Sequence, residues 1–149
     1  MTDLLQACPG LEHYLAQRQL HRSMWQPRGE LELTVNENLV LRLTLTGLHA
    51  VVVQCRVATL PLGETARARM LREALEGTGM LLAQLPGGLA IDPSNQHLWW
   101  QDAFSCQANE HEIDAVLEQF IDAVRTIRDT LEHGNAPRPS SLFDLRSRI

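Results

Sequence analysis

Three consecutive runs between Glu30 and Ala58 alternate apolar and polar side chains with a period of two, and no other feature limits the fold more. Successive side chains of a strand point to opposite faces, so this alternation makes a sheet with one apolar face. Leu31, Leu33 and Val35 share one parity, with Glu30, Glu32 and Thr34 on the other. Leu39, Leu41, Leu43 and Leu45 repeat the pattern against Val40, Arg42 and Thr44, and Val51, Val53, Cys55 and Val57 repeat it a third time. Asn36-Glu37-Asn38 supplies a tight turn and Gly47 a second break. The runs therefore predict an antiparallel meander whose apolar face must be covered by other elements.

Helical stretches flank the meander and supply that cover. Asn109 followed by Glu112 makes an N-terminal capping box. Ile113, Leu117, Phe120, Val124, Ile127 and Leu131 then recur every three or four residues. Glu110, Glu112 and Asp114 suit the positive end of the helix dipole, Arg125 and Arg128 the negative end, and Gly134 marks the stop. Near the start of the chain Leu11, Tyr14 and Leu15 form a shorter stripe. Pro9 opens the regular helix there, with Leu4 and Leu5 on a separate lead-in turn.

A helix over 64–85 sets Met70, Leu71, Ala74, Leu75, Thr78, Leu82 and Leu85 along one broad side. Gly77 and Gly79 interrupt it, each costing about 1 kcal/mol relative to alanine, as at a weak last turn or a close approach of another backbone. Pro86-Gly87-Gly88 ends it. Leu89–Asp92 and Gln96–Phe104 then form a hairpin through the four-residue turn Pro93-Ser94-Asn95-Gln96. Trp99 and Trp100 have opposite parities, so burying either face leaves an indole on the other. The fold class is α+β, in the order helix-βββ-helix-ββ-helix, with an antiparallel twisted sheet covered by helices.

One domain over residues 1–133 holds all these elements and is long enough to bury a core. Residues 134–149 read as a flexible tail, Pro- and Ser-rich at first and ending in an apolar cluster of Leu142, Phe143 and Leu145. Such a segment either docks on something or stays disordered. All thirteen cationic residues are arginines, scattered without a stripe in a chain of net charge -5, so no nucleic-acid partner is predicted. No run approaches membrane-spanning length, and Asp3 and Glu12 interrupt the first apolar residues, so neither membrane insertion nor a signal peptide is predicted.

Cys8, Cys55 and Cys106 are far apart in sequence and belong to no CxxC or Cys/His cluster. They predict free thiols, a cytoplasmic location, no metal and no cofactor. Cys106 with His111 is the nearest approach to a nucleophile and base, but the sequence places no third group to orient them. HExxH, GxGxxG and GxxxxGK[ST] are all absent. The residues describe a binding protein, with no catalytic set.

Three local features together resemble the class I chaperones of bacterial type III secretion systems. They are the leucine-rich helix MLREALEGTGMLLAQL running into Gly-Gly, the hairpin GGLAIDPSNQHLWW with its Asp-Pro turn, and the closing helix LEQFIDAVRTIRDTLEH. The resemblance spans about residues 1–133. Family members often carry Leu-x-Ala-Asn in the second helix, where this chain has Gly77-Thr78-Gly79. The resemblance implies a small acidic cytoplasmic homodimer. It would bind the extended N-terminal region of a secreted effector, without ATP hydrolysis, and keep it export-competent.

An extended client loses about 1–2 kcal/mol of backbone entropy per ordered residue, so such a chaperone must offer open apolar surface. Leu4, Leu5, Tyr14, Val40, Val52 and Trp99, on outward parity or early helical turns, are the partner-binding candidates. In the family the second helix and its following strand meet the second subunit, which here implies Leu75, Met80, Leu82, Leu89 and Ile91. Two readings compete with the effector chaperone. One is a chaperone-like protein that binds a secretion regulator; the other is a small thiol enzyme working through Cys106.

Overall fold

The computed structural model describes residues 4–18, 21–25, 30–35, 39–47, 49–82, 87–92, 94 and 96–132; for 21–25, 77, 78 and 80–82 it describes the backbone alone. The strands are β1 (His21–Trp25), β2 (Glu30–Val35), β3 (Leu39–Thr46), β4 (Ala50–Thr59), β5 (Gly88–Ile91) and β6 (His97–Ser105). The helices are α1 (Leu4–Ala7), α2 (Pro9–Arg18), α3 (Glu64–Leu82) and α4 (Glu110–Glu132). All six strands join one antiparallel sheet, in the order β1-β2-β3-β4-β6-β5.

The α+β class holds, with one strand more than the sequence shows. His21-Arg22-Ser23-Met24-Trp25 has no apolar alternation and reads as loop. It is a strand because it pairs with β2, with His21 opposite Thr34 and Trp25 opposite Glu30. The meander and the hairpin also fuse into one sheet, because β6 pairs along β4 from Ser105 opposite Ala50 to His97 opposite Thr59. The expected turn at 36–38, the stop at Gly134 and the tail lie outside the described residues.

The alternation sorts side chains as expected. Leu31, Leu33, Leu41, Leu43, Val51, Val53, Cys55, Leu98 and Trp100 are buried on one face. α4 covers that face at β4 and β6, with Ile113, Leu117, Phe120, Val124 and Ile127 turned into the core. At 1.5 Å per residue α4 runs about 35 Å, enough to cross the sheet. Its start is fixed by Asn109, whose Oδ1 accepts the amide N–H of Glu112 at 2.9 Å and whose carbonyl accepts that of Ile113 at 3.0 Å.

Both remaining long helices pack on α4. α2 comes so close that a methyl group on Gly10 would overlap the carbonyl oxygen of Ala108 and lie 3.1 Å from Cα and C of Asn109. Arg18 pairs with Asp114 across the same contact, but both side chains are well exposed, so the pair contributes at most about 1 kcal/mol. α3 is more loosely held. Ala74 is its one buried side chain among those described, Met70 and Leu71 are half-buried, and Leu75 is exposed. The broad apolar side expected there is thus only partly core.

At its far end α4 is tied to an irregularity in the sheet. β4 shifts register between Arg56 and Ala58, leaving Val57 unmatched as in a β-bulge. The freed Arg56 carbonyl accepts Nε of Arg128 at 3.1 Å and Nη2 at 2.6 Å.

Candidate functional site

The sheet face turned away from the helices is built from the outward parity of β3, β4 and β6. Cross-strand register fixes its map. Arg42 stands opposite Gln54, and Gln54 opposite Gln101; Thr44, Val52 and Ala103 make the adjacent row. Trp99 lies opposite Arg56, one row the other way, and Val40 falls at that same level on β3. Gln54 donates from Nε2 to Oε1 of Gln101 at 3.1 Å, which links the middle row across β4 and β6. The Arg42 guanidinium reaches diagonally over the Trp99 ring, 5.0 Å from its centroid, and the His97 ring meets Trp99 edge-on at 6.3 Å.

The result is a shallow surface with an amphipathic anchor, a half-buried indole under a cation. Val40 is 47% exposed beside it, and half-buried Val52 lies two rows away. Such a face offers contact to an extended chain whose alternate side chains point down.

The structure divides the six partner candidates. Val40, Val52 and Trp99 share the outer face. Leu4, Leu5 and Tyr14 do not reach any open surface. They are 0%, 8% and 7% exposed, because the break at Pro9 turns α1 against the core that α2 also enters. The expectation of exposure at those three is corrected.

The subunit-contact candidates fall differently. Leu75 of α3 and Ile91 of β5 are large apolar side chains left in the open, 56% and 43% exposed. Leu89 is half-buried and packs on the core. The side chains of Met80 and Leu82 lie outside those described. Leu62, 87% exposed between Pro61 and Gly63 just before α3, was missed. It belongs to no periodic run, so only its isolation as a leucine in a turn could have flagged it.

The thiol reading finds little support in the geometry. All three cysteines are buried and free. Burial pushes the Cys8 thiol up to about 12, helped by the adjacent Cys106, and burial also raises Cys55 against the pull of Arg128 and Arg56. Cys106 thus neighbours Cys8, whereas His111 is exposed on the first turn of α4, and no hydrogen bond joins them among the described residues. Among the described residues no group of His, Cys, Asp or Glu could hold a metal ion, and no helix is long and apolar enough to cross a membrane.

One acid shapes the hairpin that presents Trp99. Asp92 pairs through Oδ2 with Nδ1 of His97 at 3.0 Å, and its Oδ1 accepts from Ser94 Oγ at 2.9 Å and the amide of Gln96 at 3.0 Å. The His97 bond and these further donors hold its carboxyl well below the usual carboxylate range. A depressed acid stabilises the fold fully above its unfolded value, near 3.9, and loses that contribution as pH falls towards its folded value. The stability difference between the native chain and Asp92→Asn should therefore be constant above about pH 5 and shrink below about pH 4. Urea titrations of both chains across that range check it; a difference that grows on acidification would contradict the assignment.

These elements make an α+β fold, an antiparallel sheet with helices on one face and, among the described residues, none on the other. Residues 13–128 match the model of the Tir chaperone protein (CesT) family, and the chain belongs to that family. Among solved structures it is similar to the ExsC–ExsE complex (TM-score 0.64, 14% identity, covering 87% of this chain and 97% of that one). It is also similar to the HopA1–SchA chaperone–effector complex (0.58, 12%, 81% and 91%). A third is the type III secretion chaperone SycH of Yersinia pestis, in complex with a fragment of YscM2 (0.54, 18%, 81% and 98%). At these identities the likeness is one of fold. No curated protein matches the chain by sequence.

Proposed function

We propose that this protein is a cytoplasmic type III secretion chaperone that binds the extended N-terminal segment of a secreted effector, without catalysis, and keeps it competent for export. Family membership over residues 13–128 carries the reading. The uncovered face around Trp99 supports it, since aromatic and arginine side chains supply much of the energy at protein interfaces. A secretion regulator as client is the second reading, which the same family membership admits.

Capture on the tagged full-length chain from its native cytoplasm, followed by limited proteolysis and mass spectrometry, tests this. The expected result is a partner protected only along a segment near its own N-terminus. A folded partner protected elsewhere would replace the effector reading with the regulator one.

The working unit in this reading is a homodimer joined through α3 and β5. Leu62, Leu75 and Ile91 are open in the single chain, and large apolar side chains in the open mark contact surfaces when they gather. Gly79 fits the same picture, since a methyl group there meets nothing within 4 Å among the described residues outside its own helix turn. Sedimentation should give about twice 16.8 kDa, and Leu75→Asp should shift the protein to monomer. A stable monomer at micromolar concentration would remove the dimer from the proposal.

A further inference from the structure

At the corner where β4, α3 and α4 meet, the fold leaves a groove of about 400 Å³ on the helical side. Its walls are the bulged end of β4 (Arg56–Thr59), Met70 of α3, and Arg128, Leu131 and Glu132 of α4. Apolar surface from Val57, Ala58, Met70 and Leu131 is thus framed by the Arg128 guanidinium and the Glu132 carboxylate. The bulge that opens this corner is held in place by Arg128 on the Arg56 carbonyl, so the groove belongs to the framework of the fold.

The chain itself continues from this groove. Glu132 is both a wall of the groove and the last residue of α4, and residues 133–149 follow it. The geometry points to the chain's own segment Leu142–Leu145 as the occupant of this groove. Leu142 lies ten residues along the chain from Glu132, a reach of up to about 33 Å, far more than folding back by one helical turn requires. Leu142 and Phe143 provide the apolar side chains. Asp144 brings a negative charge towards Arg128, and Arg146 a positive one towards Glu132.

Tethering makes a modest contact sufficient. A short flexible linker presents the segment at an effective concentration on the order of millimolar, so a groove of only submillimolar intrinsic affinity is mostly filled. A second polypeptide reaching the same corner must displace it. Docking of the segment needs no client and stands whether or not the chaperone reading holds.

The test uses the full chain with [methyl-13C]methionine, Met70 being assigned by Met70→Leu. Phe143→Ser should move the Met70 methyl resonance and leave those of Met24 and Met80 in place. Asp144→Arg should move it in the same direction. An unmoved Met70 line in both variants overturns the proposal. Mixing labelled Phe143→Ser chain with unlabelled native chain separates the remaining source. A Met70 line that stays at its displaced position supports docking within one chain; one that returns to the native position shows that a second copy's tail fills the groove, and overturns it.

Discussion

Gly10→Ala should destabilise this protein strongly for a change of one methyl group, lowering the thermal midpoint by about 10 °C. The added methyl would overlap the carbonyl oxygen of Ala108 and crowd Cα and C of Asn109, all of them backbone atoms. A flexible side chain could swing aside, but a peptide unit at the N-cap of α4 cannot. The overlap has to be relieved by moving α2 away from α4, and Leu11 and Leu15 with it, both buried in the common core. Overpacking of this kind costs about 1–3 kcal/mol and more where the backbone must shift. The gain from alanine's helix propensity is at most about 1 kcal/mol and smaller in a first turn. Gly47→Ala is the control, since its methyl meets nothing within 4 Å. Calorimetry on both variants decides the matter; equal midpoints would show that α2 does not need its close seat on α4.

Gly10 also shows what a single sequence hides. Next to Pro9 it reads as punctuation in a broken helix, and that reading is correct about α1 and α2. The reason the position tolerates nothing larger lies at Ala108, on the far side of the chain. β1 is hidden for the same reason. His21–Trp25 has no pattern of its own, and its strand conformation comes from the edge of β2. By contrast the interior of β2, β3 and β4 was legible, because a period of two survives wherever one face is buried and the other is not. α4 was legible from stripe and cap alone.

The candidate site was legible only in part, and the division has a physical cause. Periodicity tells which side chains share a face, but not whether another element covers that face. Val40, Val52 and Trp99 lie on the face that no described element covers, as outward parity suggested. Leu4, Leu5 and Tyr14 sit on turns that looked peripheral and are covered, because a four-residue helix ahead of Pro9 can fold under. Leu75 presents the opposite case. It fits the stripe of α3 and yet faces outwards, because α3 leans on α4 along a narrow line and leaves most of its girth open.

The two adjacent tryptophans of β6 should respond to truncation in opposite ways, and the contrast separates fold from function. Trp100 is fully buried opposite Cys55, with Gly87 pressed against its indole edge: a methyl on Gly87 would lie 2.9 Å from Nε1. Trp100→Ala removes the largest fully buried side chain of the core and should cost about 3–5 kcal/mol, a large share of a typical domain's stability. Trp99 stands on the other face, half-buried, with Arg42 above it and His97 at its edge. Trp99→Ala should cost only about 1 kcal/mol through the lost cation–π contact and modest burial. Its larger effect should fall on client binding, at about thirtyfold for a hot-spot aromatic worth 2 kcal/mol. Denaturant unfolding of both variants, with titration of the captured client segment against Trp99→Ala, measures the two quantities separately. Unchanged affinity in Trp99→Ala would move the client off the outer face of the sheet while leaving the fold, and the family, where they stand.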